Sequence, residues 1–92
     1  MIKVDDLFTV NRDKFISSAF GDEMMLMNLE TGDYIGLNEV SADIFRLAEK
    51  KASVEQIINH LLQHYNVEED VCRVQVLSCI ENMLKKELLI KI

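Results

Sequence analysis

The spacing of the hydrophobic residues changes near residue 38, and this change constrains the fold more than any other feature of the sequence. Before it, apolar residues form short alternating or continuous runs, as in "KFISSAF", "EMMLMNL" and "DYIGL", which are typical of β-strands. After it, apolar residues recur every three or four positions, which is typical of amphipathic helices. Because the strands precede the helices, the pattern predicts an α+β domain.

The strand-like part of the chain predicts a hairpin and a partner strand. The runs "EMMLMNL" and "DYIGL" flank a turn at Thr31-Gly32, where glycine can take a positive φ. Residues 13–20 supply the partner strand. Since three strands alone are marginally stable, the helices must pack on one face of the sheet. Three methionines of the second run suit either adaptable core packing or a soft contact surface: Met24, Met25 and Met27.

The helical part of the chain contains segments with recognisable ends. Asn38 is a favourable N-cap for the first helix, and the Lys50-Lys51 pair suits its C-terminal end. Ser53 and Gln56 form a capping box at the start of the second helix. The closing residues, "LLIKI", predict a short strand or an extended tail.

The third helix is predicted to begin at another capping box, Asn66 with Glu69, and to run to about Lys86. Its apolar residues cover roughly 160° of the helix surface, compared with the roughly 100° that is usual for a surface helix. Such a helix contacts the first two helices on one side and the sheet, or a groove beside it, on the other. The uncharged border of this arc suits either the wall of a peptide-binding groove or an ordinary polar boundary. These border residues are Gln75, Ser78 and Asn82.

Length and charge narrow the classes of function. Residues 1–92 make a single domain, and no apolar run approaches the roughly 18–20 residues of a membrane span. The formal net charge of −6 argues against a nucleic-acid partner, because phosphate binding needs clustered Lys and Arg. The N-terminal "MIKVDDLFTV" lacks the basic start and apolar core of a signal peptide, so we expect a cytoplasmic protein.

The sequence contains no residue constellation that predicts catalysis, a metal site or a cofactor site. His60 and His64 have the spacing of two metal ligands, but no third ligand lies near them and we expect a solvated face. Cys72 and Cys79 lie about 10.5 Å apart if the region is helical, which is too far for a disulfide. We therefore expect two free thiols.

The stretch "LETGDYIGLNEVSADIFRL" resembles the PqqD-like family of small peptide chaperones, the RiPP recognition elements. The resemblance continues through "SVEQIINHLLQHYNV" and ends in "VLSCIENMLKKELL", so it covers residues 20–90. The turn "LETGDY" looks more like the leader-binding proteins of split lasso-peptide systems than like members of the pyrroloquinoline-quinone pathway. The family's motif positions in the first stretch are occupied by Tyr34, Gly36, Leu37, Asn38, Ile44, Phe45 and Leu47. Departures from the family's usual residues occur at Ser41, Gln75, Cys79 and Glu87.

The resemblance implies a three-stranded antiparallel sheet followed by a three-helix bundle, in a winged helix-turn-helix-like arrangement. It also implies a non-enzymatic function, which is to bind the leader segment of a ribosomally made precursor peptide. The leader would add a strand to the open edge of the third strand, in a groove walled by the third helix. Separate enzymes, such as a leader peptidase and a cyclase or a radical enzyme, would then modify the precursor. The residues expected to contact the peptide are Asp33, Tyr34, Ile35, Gly36, Leu37, Arg73, Gln75, Val76, Cys79, Asn82 and Met83.

Two other classes of function fit the same sequence. A winged-helix regulator would bind DNA and heparin, although the third helix carries more acidic than basic residues. A small structural subunit of a larger enzyme would co-purify with its partner and would ignore free peptides.

Overall fold

The computed structural model describes residues 2–92 and has the α+β architecture that the hydrophobic spacing predicts. A three-stranded sheet precedes the three helices, and a second three-stranded sheet joins distant parts of the chain. In chain order the elements are β1 (Leu7–Val10), β2 (Phe15–Phe20), β3 (Glu23–Asn28), β4 (Tyr34–Leu37), α1 (Glu39–Glu49), β5 (Ala52–Ser53), α2 (Val54–His64), α3 (Glu69–Lys85) and β6 (Leu89–Lys91).

The predicted hairpin and its partner strand form the first sheet, which is antiparallel and has the order β2-β3-β4. Gly21, with a φ of 62°, lies in the turn between β2 and β3, and Gly32, with a φ of 77°, lies in the turn between β3 and β4. Glycine enters this left-handed region without steric cost. The turn predicted at Thr31-Gly32 is therefore confirmed.

The second sheet has no counterpart in the sequence-based prediction. It is antiparallel with the order β5-β1-β6, and Phe8 of the central strand lies opposite both Ala52 and Lys91. The closing "LLIKI" thus forms a strand, which is one of the two outcomes expected for it. β1 and β5 have four and two residues, which is too short for a periodicity signal.

Local capping fixes the starts of α1 and α2 as predicted. The side chain of Asn38 accepts a hydrogen bond from the N–H of Ser41 at 2.9 Å. The backbone N–H of Ser53 donates to Gln56 Oε1 at 2.9 Å, and the N–H of Gln56 donates to Ser53 Oγ at 3.1 Å. This reciprocal pair satisfies two N–H groups that a helix start otherwise leaves free.

The start of α3 corrects one prediction. The helix begins at Glu69, with Glu68 as its N-cap and no side-chain hydrogen bond to the cap. The capping box predicted at Asn66 is therefore wrong. Asn66 lies in the connection after α2, where the N–H of Val67 donates to the carbonyl of Tyr65 at 3.1 Å.

The hydrophobic core joins residues from both sheets and all three helices. Met24 and Leu26 of β3 are buried in it, whereas Met25 is 36% exposed because alternate residues of a strand point to opposite faces. Cys72 is buried, Cys79 is half-buried, and both thiols are free, as expected. Within residues 2–92, none of the helices combines the length and the apolar character that a transmembrane span requires. The largest fully buried side chains are Phe8, Leu26, Ile44, Ile57, Ile58, Ile80 and Leu88.

Candidate functional site

Strand β4 forms an edge of the first sheet. On one side it pairs with β3, where Ile35 lies opposite Leu26. Among residues 2–92, no strand pairs with its other side. Backbone groups on such an edge are free to pair with another chain.

The alternation of hydrogen bonds along the ladder decides which backbone N–H and C=O groups of β4 point away from β3. The N–H of Asn28 donates to the carbonyl of Asp33 at 2.8 Å, so these two residues form a bonded pair of the ladder. Bonded pairs of an antiparallel ladder recur at every second residue. Ile35 therefore turns its N–H and C=O toward β3, whereas Tyr34 and Gly36 turn theirs outward.

A groove with a volume of about 490 Å³ runs between this edge and α3. The helix residues that line it recur every three or four positions, because such residues share one face of a helix. The lining residues are Ile35, Gly36 and Leu37 of β4, Ser41 of α1, Val74, Gln75, Ser78, Cys79, Asn82 and Met83 of α3, and Lys86 and Leu88 beyond it.

Most of the residues that line the groove carry no charge; some of them are apolar and the others are polar. Cys79 Sγ lies 3.7 Å from Ser41 Oγ, so the thiol joins α3 to α1 across the groove wall. Burial raises the pKa of Cys79, which keeps the thiol neutral at pH 7. Of the described residues that line the groove, Lys86 is the charged one. The groove can therefore hold an extended peptide by backbone pairing and shape, and its lining offers no nucleophile paired with a base.

Seven of the predicted contact residues are brought together in the groove. They are Ile35, Gly36, Leu37, Gln75, Cys79, Asn82 and Met83. Their placement in one groove follows from two periodicities, two residues per repeat in β4 and 3.6 residues per turn in α3.

Asp33 and Tyr34 lie at the start of the same edge but outside the groove lining. The N–H of Asp33 donates to Thr31 Oγ1 at 3.2 Å, within the turn. The Tyr34 side chain is 67% exposed and points away from the core, because its neighbour Ile35 packs against the core. Tyr34 therefore offers its backbone to the edge and its ring to the opposite face of the sheet.

Arg73 and Val76 also lie outside the groove. Arg73 donates to Glu69 at 3.1 Å and to Glu55 of α2 at 3.3 Å, and hydrogen bonding to Glu69 raises the pKa of its guanidinium. Arg73 is two positions from Gln75, which places it about 200° around the helix. Val76 is 1% exposed and lines a second, smaller cavity among the helices.

Five lining residues are not among the residues expected to contact the peptide: Ser41, Val74, Ser78, Lys86 and Leu88. Ser78 belongs to the uncharged flank of α3, and Lys86 follows Asn82 by one helical turn, so the spacing carried a signal for both. Ser41 and Leu88 approach from other parts of the fold, and their sequence positions carry no such signal.

Across residues 2–92, no three His, Cys, Asp or Glu side chains lie together in a way that could hold a metal ion. His60 and His64 stack with their ring centroids 4.1 Å apart. The Nδ1 atom of His64 lies 2.8 Å from the carbonyl oxygen of His60 on the exposed side of α2. The pair is therefore held by stacking and by this local contact.

Comparison with known proteins gives one family and two similar structures. The family model described as "Coenzyme PQQ synthesis protein D (PqqD)" matches residues 23–89. A solved structure described as "TbiB1 in Complex with the TbiA(beta) Leader Peptide" is 28% identical, with a TM-score of 0.80, over 88% of this chain and 93% of that chain. A second, "Lasso peptide synthetase B1 complexed with the leader peptide", is 18% identical, with a TM-score of 0.75, over 90% of this chain and 96% of that chain. At that identity, the second likeness shows the fold alone. No curated protein was found to match the chain.

Proposed function

Because the chain belongs to the PqqD family, we propose that it binds the leader segment of a ribosomally synthesised precursor peptide and presents it to separate modifying enzymes. The observation that carries this proposal is the open edge of β4, where Tyr34 and Gly36 turn backbone groups outward beside the groove. The likeness to a structure solved with a leader peptide supports it.

Strand addition accounts for both affinity and selectivity. The leader pairs with the outward N–H and C=O groups of β4, and its alternate side chains enter the groove. Each hydrogen bond contributes roughly 0.5–1.5 kcal/mol net. Buried side chains add to this and ordering of the peptide subtracts from it, so we expect a dissociation constant on the order of micromolar.

The protein acts in this proposal as a carrier without chemistry of its own. Its partners are the precursor and enzymes such as a leader peptidase and a cyclase or a radical enzyme, and the site of action is the cytoplasm. We also propose that the three strands and the three helices have a winged-helix-like arrangement. Incubation of the purified protein with a candidate precursor should leave the peptide mass unchanged, and mass spectrometry that detects cleavage or modification would contradict the carrier role.

Backbone amide NMR tests where the peptide binds. A leader peptide from a short precursor encoded beside the gene, titrated into the labelled protein, should shift amides of residues 33–37 and 72–83. Shifts confined to the region around His60 and His64 would place the site on the opposite side of the helices. Absence of any shift at millimolar peptide would reject that peptide class as the partner.

A further inference from the structure

Strand β2 is the edge of the first sheet opposite β4, and it is exposed along most of its length. Phe15 is buried, but the five residues that follow it are exposed, with Ile16 at 55% and Phe20 at 62%. Among residues 2–92, no strand pairs with the side of β2 that faces away from β3. Such edges are usually protected by charged residues, proline or a bulge. The strand "FISSAF" has neither charge nor proline, and its register with β3 is continuous, so this edge is unprotected.

The ladder between β2 and β3 decides which backbone groups of this edge are free. The N–H of Leu29 donates to the carbonyl of Lys14 at 2.8 Å, so these two residues form a bonded pair. Because bonded pairs recur at every second residue, the even-numbered residues of β2 turn their N–H and C=O toward β3. Ser17 and Ala19 therefore turn both groups outward.

These free groups fit a second copy of the same strand, related by a two-fold axis perpendicular to the sheet. With the axis at Ser18, Ser17 of each copy lies opposite Ala19 of the other, and the two residues exchange both hydrogen bonds. With the axis at Ser17, the strand pair would need the N–H of Phe15. That N–H already donates to the carbonyl of Asn11 at 3.2 Å. The backbone therefore selects the register centred on Ser18.

The side chains are complementary in the same register. Ile16 of each copy lies opposite the exposed ring of Phe20 of the other, on the outer face of the sheet. Such a cross-strand pair of an aromatic and a β-branched residue is favourable. The small, neutral Ser18 residues face each other at the axis. Beyond the strand, Lys14 comes near Asp22 of the second copy, which has the opposite charge.

From this self-complementary edge we infer that two copies of the chain associate through β2. The two three-stranded sheets then form one six-stranded antiparallel sheet, with β4 at each end. The inference does not rest on leader binding, and it leaves the groove of each copy open. Because a single short strand pair makes a small interface, we expect a dissociation constant on the order of 100 µM.

The wild type alone tests the association. In sedimentation equilibrium, the mass should approach twice that of one chain as the protein is concentrated from about 10 µM to about 1 mM. Amide hydrogen exchange at Ser17 and Ala19 should slow at least about twofold over this range, whereas Tyr34 and Gly36 of β4 should keep their rates. A monomer at about 1 mM would overturn the inference. A dimer that saturating leader peptide dissociates would place the contact on β4 and overturn it too.

A charge at the axis is the second test. Ser18→Lys places two like charges opposite each other in the dimer but leaves an exposed side chain in the monomer, so association should weaken by about tenfold or more. Val71→Lys adds the same charge at an exposed position of α3 and should associate as the wild type does. Leader affinity should be the same in both variants, since β4 is unchanged. Equal association of folded Ser18→Lys and wild type would reject the β2 contact.

A cross-link tests the register. Ser18 residues across the axis form a non-bonded pair with Cα atoms about 4.5 Å apart, which a disulfide can bridge. Ser18→Cys treated with oxidised glutathione should therefore give a covalent dimer. Ser17→Cys is the control, because its two copies are offset by two residues along the strands, beyond the roughly 7 Å that a disulfide spans. Equal cross-linking of the two variants would contradict the register.

Discussion

Single residues end two of the helices in a strained conformation. Lys51 after α1 and Glu87 after α3 have φ values of 66° and 62°, in the left-handed region that residues with a Cβ enter at a cost of roughly 1–2 kcal/mol. After α3, the N–H of Leu88 donates to the carbonyl of Met83 at 2.8 Å and the N–H of Glu87 donates to that of Leu84 at 3.1 Å. These two bonds make the Schellman motif, which usually has glycine at the position of Glu87.

Glycine at these two positions should stabilise the fold. We expect Lys51→Gly to raise the free energy of unfolding by about 1 kcal/mol, because glycine removes the Cβ strain. Glu87→Gly should gain less, since it also removes the ion pair with Lys14. Lys50→Gly, at an ordinary φ of −102°, is the control and should destabilise. Urea denaturation measures all three, and equal effects of glycine at 50 and 51 would contradict the strain argument.

Cys79 tests the groove at the scale of one side chain. Cys79→Arg places a bulky charge among apolar and uncharged neighbours, so we expect leader binding to weaken by at least tenfold, or about 1.4 kcal/mol. Val71→Arg adds the same charge and bulk to an exposed position of α3 outside the groove. Calorimetry should find that this control binds as the wild type does. Equal binding by folded Cys79→Arg would move the site away from α3.

At the scale of elements, the direction of the β4 backbone makes a prediction that the sequence alone left open. Tyr34 turns its N–H outward and Ile35 turns its N–H toward β3, so proline should act differently at the two positions. Tyr34→Pro should abolish most leader binding with a small loss of stability. Ile35→Pro should lose a ladder hydrogen bond and destabilise the hairpin by about 1–3 kcal/mol.

Tyr34→Ala is the matched control for this pair, because it removes the ring and keeps the N–H. Its affinity for the leader should stay within about threefold of the wild type, since the ring points away from the groove. Thermal unfolding and peptide titration of the three variants check the assignment. If Tyr34→Pro destabilises the hairpin and Ile35→Pro stays stable but loses leader binding, Ile35 and not Tyr34 turns its N–H outward.

Elements with local signals were predictable, and elements formed by distant pairing were not. The hairpin and the starts of α1 and α2 depend on turn and cap residues such as Gly32, Asn38 and Ser53, which are neighbours in sequence. The second sheet pairs Phe8 with Lys91 across almost the whole chain, and its strands are too short to show a period. The groove residues that could be predicted are those that a single periodicity places, which is two residues per repeat in β4 or 3.6 residues per turn in α3. The structure places Arg73 outside the groove lining, bonded to Glu69 and Glu55. The sequence does not show which side of the wide apolar arc of α3 faces the groove.

At the scale of the whole molecule, most charged residues lie outside the proposed binding groove. The chain carries a net charge of −6, yet Lys86 is the charged residue among those described in the groove lining. Recognition by backbone pairing and apolar contact depends little on ionic strength, because salt screens charges and not these contacts. Nucleic-acid binding is the opposite case, since each neutralised phosphate releases a counterion and steepens the salt dependence.

Salt dependence should therefore separate leader binding from the DNA-binding alternative. Raising NaCl from about 50 mM to about 500 mM should change the leader affinity by less than about threefold, because exposed charges interact weakly across this screening range. Duplex DNA and heparin should not bind detectably even at the lower concentration, since the net charge repels them. Fluorescence anisotropy with a labelled leader and a labelled duplex measures both. A leader affinity that falls steeply with salt would show that charged residues outside the groove dominate recognition, and duplex binding at low salt would revive the regulator.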